Sequence, residues 1–178
     1  MPENEKKSLS EGISKLADVI KKHEGYYIEG SRAQRNNNPG NLTASPFPNK
    51  KEFPNKKDKG FCIFPDKETG EKALNHQLNI IFTGDSRHYK PTTTIEEFVN
   101  KWASTSKKVE KESYAKSIAK EFKTTKDKTL KEAFEKNGYD LSGKEKDKDN
   151  THPTPVPVPV PTPPPNPTPS PGSGGWDL

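Results

Sequence analysis

Residues 8–25 read SLSEGISKLADVIKKHEG. Ser8 and Glu11 stand at the spacing of a capping box, in which two side chains satisfy backbone N–H groups at a helix start. Ile13, Leu16, Ala17 and Ile20 recur at three- and four-residue intervals, so one stripe of the helix is apolar. Glu24 comes four residues after Ile20, one turn further along that stripe, and Gly25 supplies a stop. The spacing predicts an amphipathic helix from residue 9 to about 24 that ends in a carboxylate on its buried side. Desolvation and the negative end of the helix dipole both disfavour an ionised carboxylate there, so its pKa is expected to rise.

Working outward, residues 29–60 are rich in turn formers, including Pro39, Pro46, Pro48 and Pro54. They read as loops with a small irregular β region, and residues 60–64 (GFCIF) read as a short strand. Asp66 caps a helix over about 67–82, with Ala73, Leu74, Gln77, Leu78 and Ile81 on one side. Thr94 and Glu97 form a second capping box, followed by the stripe Ile95, Phe98, Val99 and Trp102. Tyr114, Ala115, Ile118, Ala119 and Phe122 mark a fourth helix. Leu130, Ala133 and Phe134 mark a short fifth, stopped by Asn137-Gly138. The expected fold class is mainly α: one small helical domain over residues 8–141, with a short irregular β and loop region and no internal repeat.

Beyond that domain the composition changes. Residues 142–150 are a charged linker without apolar periodicity. In residues 151–171, eleven of twenty-one positions are proline; this stretch favours polyproline II, a semi-rigid spacer of about 3.1 Å per residue. Residues 172–178 (GSGGWDL) are expected to be flexible, with Trp176 as a docking anchor or simply part of a disordered end. The formal charge is +5, and Asp177 is the sole charged side chain after residue 150. A basic domain suits an anionic partner, although scattered lysines are common on solvated surfaces. No nucleic-acid motif accompanies them, so nucleic acid is not an expected partner. The lone Cys62 excludes an internal disulfide and reads as a small buried apolar residue. The polar start MPENEKKSLS has no signal-peptide character, and no run reaches the apolar length of a membrane span.

The chemistry centres on residues 23–42, HEGYYIEGSRAQRNNNPGNL. HEGYY begins like the zinc motif HExxH, but position 27 is Tyr27, so neither a metal nor another cofactor is expected. A lone buried glutamate fits general acid catalysis at a glycosidic oxygen. Common glycosidase schemes add a second carboxylate. Glu29, Asp66 and Glu68 are available, and none has a context that singles it out. The alternative for Glu24 is an ordinary helix-end carboxylate, exposed or paired with Arg32 or Arg35. The asparagines could equally form a plain surface turn.

These residues resemble the small lysozyme-like lytic transglycosylases of phages and bacteria. The resemblance rests on Glu24-Gly25-Tyr26, Gly30-Ser31 and the R-x-N-N-P-G-(D/N)-L block from Arg35 to Leu42. Gly60-Phe61 with Phe64, then Gly70 with Ala73-Leu74, continue it, and Thr94, Trp102-Ala103 and Tyr114 resemble the closing helices. It covers about residues 12–122 and departs from the pattern in the lysine- and proline-rich insert 46–59. It implies a lysozyme-like fold and cleavage of the β-1,4 bond between N-acetylmuramic acid and N-acetylglucosamine in peptidoglycan strands. Glu24 would serve as acid and then base. Arg35, Asn37, Asn38, Gly40 and Asn41 would line the cleft, Asn37 and Asn38 bonding acetamido groups, and Tyr26 or Tyr27 would stack on a sugar or belong to the core. Rival readings are a muramidase that hydrolyses the same bond and a non-enzymatic virion or wall-binding part. The setting would be a virion or tail assembly, held through the C-terminal tail, or the host cytoplasm before delivery to the cell wall.

Overall fold

A computed structural model describes residues 5–44 and 57–142. The charged linker, the proline-rich spacer, the 172–178 end and most of the 46–59 insert lie outside the described residues. Six helices and a two-stranded hairpin make a mainly α unit: α1 (Leu9–His23), α2 (Arg32–Arg35), β1 (Lys57–Asp58), β2 (Phe61–Cys62), α3 (Lys67–Thr83), α4 (Ile95–Trp102), α5 (Lys108–Glu121) and α6 (Leu130–Lys136).

The helix starts follow their side chains. Ser8, Thr94 and Thr129 each close a capping box, with Glu11, Glu97 and Glu132 respectively, and Asp66 caps α3 through Thr69 N–H. The caps of α4 and α6 lie side by side. Ile95 N–H donates to Lys128 O and Leu130 N–H to Thr93 O, each at 2.9 Å, so the two starts share a short antiparallel bridge.

The apolar stripe of α1 packs against α3 and α5, and Leu16 and Ile20 are completely buried. Each such side chain contributes about 1.5–3 kcal/mol of transfer free energy. Phe122 and Phe134 stack at 5.0 Å between ring centroids, and Tyr139 closes the cluster. A smaller apolar group, Leu42, Cys62, Phe64 and Ala73, sits beneath the hairpin. The half-buried Trp102 packs against both groups and so joins the hairpin side to the helical core. Residue 7 pairs with residue 139: Lys7 N–H donates to Gly138 O and Asp140 N–H to Lys7 O.

Two local features differ from the sequence reading. Residues 32–35, expected as loop, make a helical turn capped by Ser31. The 60–64 strand shortens to Phe61–Cys62, paired in register with Lys57–Asp58. Among the described residues no helix is long and apolar enough to cross a membrane.

Candidate active site

Glu24 is the C-cap of α1, and its N–H still bonds Ile20 O. Gly25 follows with φ +81°, a left-handed conformation that glycine adopts without Cβ strain. The chain then turns back through Ile28 and Ser31. Ser31 Oγ donates to Gly25 O at 2.6 Å and accepts from Gln34 N–H, so one hydroxyl ties α2 to the end of α1.

Glu24 is 7% exposed. Its Oε2 accepts from Asn41 Nδ2 at 3.0 Å and from Ser104 Oγ at 2.5 Å. Oε1 is buried without a hydrogen-bond partner, as are Asn41 Oδ1 and the Tyr114 hydroxyl. Tyr114 lies beside the carboxyl; burial first, and then its closeness to Glu24, raises the pKa of the Tyr114 hydroxyl. His23 covers the Tyr114 ring, with centroids 4.5 Å apart.

Burial pushes the Glu24 carboxyl above its ordinary value, and the Ser104 and Asn41 donors offset part of that rise. The site therefore holds a carboxyl group whose neutral form is favoured by burial and whose orientation is fixed through Oε2. Such a group can protonate a leaving oxygen and later recover a proton.

Of the two asparagines expected against acetamido groups, Asn37 is half-buried and Asn38 is turned inward. Asn38 is completely buried. Its Nδ2 donates to Leu42 O and Cys62 O, and its Oδ1 accepts from Leu42 N–H. It has no surface through which to meet a glycan. Asn37, at φ +49°, donates Nδ2 to Phe64 O. Asn36 and Arg35 both donate to Asp58 Oδ2 on the hairpin. Thus Asn36 and Asn38 latch the loop to the hairpin, Asn37 bonds the chain just beyond it at Phe64, and Asn41 alone of the four bonds Glu24. Gly40 is buried under Trp102 and Leu74, and an added Cβ would lie 2.8 Å from Leu74. Tyr26 is buried, whereas Tyr27 and its neighbour Ile28 are 60% and 63% exposed.

Neither arginine pairs with Glu24. Arg35 is ion-paired with Asp58, which holds the Asp58 carboxyl below its usual value, and the Arg32 guanidinium lies 4.3 Å from the Phe61 ring centroid. Ser104 and Tyr114 are site residues that pattern reading did not find as such: Ser104 sits in an unpatterned loop, and Tyr114 looked like one more core position. Among the described residues no group of three or more His, Cys, Asp and Glu is placed to hold a metal ion. Comparison with protein-family models, with curated proteins and with solved structures gives no match.

Proposed function

We propose that this chain is a lysozyme-like lytic transglycosylase acting on peptidoglycan strands, with Glu24 as its acid and base. The observation that carries the reading is the state of the Glu24 carboxyl: buried, raised in pKa by that burial, and fixed through Oε2 by Asn41 and Ser104. A surface helix-end carboxylate would have none of these features.

In this reading, the Glu24 carboxyl protonates the glycosidic oxygen as the bond from the muramyl anomeric carbon breaks. The muramyl 6-hydroxyl then attacks that carbon, and the Glu24 carboxylate takes up the hydroxyl proton. Glu24 ends as it began, no water is consumed, and the product carries a 1,6-anhydro end. Burial favours the neutral acid at the start, while Asn41 and Ser104 stabilise the carboxylate formed midway.

Hydrolysis is the second reading, and Asp58 is the observation in its favour. Its carboxyl, held ionised by Arg35 and Asn36, is a candidate second carboxylate. Its Oδ2 already takes three donors, which suits a latch better than a nucleophile or base. Product analysis of digested wall separates the two: anhydro ends support the transglycosylase, and reducing muramic ends alone support the hydrolase. Glu24→Gln should stay folded and lose wall lysis. If that variant clears purified wall as fast as the parent, the enzymatic reading fails and a wall-binding role takes its place.

A further inference from the structure

Arg32 is a cation that the acid–base chemistry does not use. Among the described residues it has no hydrogen-bonded or ion-paired partner, and its Nε is buried and unpartnered. The neighbouring acid is already engaged: Asp58 Oδ2 accepts from Arg35 Nε, Arg35 Nη2 and Asn36 Nδ2. Two arginines thus face one carboxylate, and that carboxylate's bonds go to Arg35. The Arg32 guanidinium lies over Phe61, 4.3 Å from the ring centroid. That contact shields part of the guanidinium from water and leaves its terminal Nη1 and Nη2 for a planar, two-oxygen acceptor. Its position is also fixed relative to the proposed acid, because Ser31, the preceding residue, bonds Gly25 O, and Gly25 follows Glu24.

We propose that Arg32, on its Phe61 platform, is a subsite for a carboxylate carried by the glycan substrate, so that the protein prefers acidic muramyl strands to neutral polymers of N-acetylglucosamine. This rests on the peptidoglycan reading of Glu24. Muramyl residues offer two carboxylate sources: the lactyl group when its peptide has been removed, and the peptide stem when it is present. Either gives the two terminal nitrogens of the fork two charge-assisted hydrogen bonds.

The test uses the full chain carrying Glu24→Gln, so that ligands bind without being cut. Calorimetric titration compares a peptide-bearing muramyl disaccharide, the same disaccharide stripped of peptide, and a neutral N-acetylglucosamine disaccharide. At least one acidic ligand should bind roughly tenfold or more tightly than the neutral one. Adding Arg32→Gln should erase that preference and leave neutral-ligand affinity unchanged, with an unaltered melting temperature as the folding control. Arg32→Lys should retain part of the preference, because it keeps the charge and loses the fork. Stronger binding of the stripped ligand assigns the subsite to the lactyl group, and stronger binding of the peptide-bearing one assigns it to the stem. A preference that survives Arg32→Gln, or no binding of any of the three, overturns the subsite. Wall lysis by Glu24→Gln alone would instead overturn the reading beneath it, so the two failures are told apart.

Discussion

Asn41 Nδ2 lies 3.0 Å from Glu24 Oε2 and 3.3 Å from the backbone oxygen of the same residue. One amide therefore holds both the last carbonyl of the helix cap and the carboxylate beyond it. The left-handed backbone of Asn41, φ +47°, belongs to the turn that carries this amide back to α1.

Removing the donors should retune the acid. Asn41 and Ser104 bond Oε2 and favour its ionised form, so Asn41→Ala or Ser104→Ala should raise the Glu24 pKa further. The alkaline limb of the pH–rate profile is then expected to move to higher pH, with kcat reduced. Asn41→Ala should also lose about 1 kcal/mol of stability with its bond to the Glu24 carbonyl. A limb that stays in place in both variants would show that these contacts do not set the acid.

Stability should carry the signature of the same carboxyl. The folded-state pKa of Glu24 lies above the ordinary 4.5 because burial disfavours the charge. Its stabilising contribution is therefore fully present below pH 4.5 and is lost as pH rises through the raised folded value. Gln stays neutral throughout, so Glu24→Gln should melt higher than the parent at pH 7, with the gap closing below pH 4.5. Thermal melts at both pH values check the sign, and a parent that melts higher at pH 7 would contradict the burial argument.

Asn38→Ala should cost stability rather than substrate affinity. It leaves Leu42 O, Cys62 O and Leu42 N–H without their buried side-chain partner, a loss of about 3 kcal/mol by urea unfolding. KM for the molecules that remain folded is expected to hold. A raised KM with unchanged unfolding would return Asn38 to the glycan-binding role.

Gly70→Ala tests how closely the loop lies on α3. An added Cβ would fall 1.7 Å from Asn37 O, which is backbone and cannot simply swing away. We expect at least about 2 kcal/mol of destabilisation, the ordinary scale for overpacking. A neutral result would mean that the loop shifts freely against the helix.

Legibility in the sequence followed periodicity. The stripes of α1, α3, α4 and α6 and the Ser8 and Thr94 capping boxes repeat at helical intervals, and the burial of Glu24 follows from its place on the α1 stripe. Thr129 with Glu132 makes a third box of the same pattern. The four-residue α2 and the two-residue strands are too short for any pattern to repeat. Ser104 reaches Glu24 across 80 positions, and a single long-range hydrogen bond leaves no periodic mark. The asparagines were visible as a turn-rich block, but not the side to which each amide turns. That depends on the positive φ of Asn37 and Asn41 and on where the hairpin docks.

The pairing of Lys7 with Tyr139 sets where force enters the molecule. It stands at the N-terminal end of α1, while Glu24 stands at the other, about 22 Å away at ~1.5 Å per helical residue. A pull on the chain beyond Ser142 meets the Lys7 bridge and the α6 cap first, a whole helix away from the acid. Load applied there falls on the backbone bonds between Lys7 and residues 138–140 before it reaches the Glu24 end of α1.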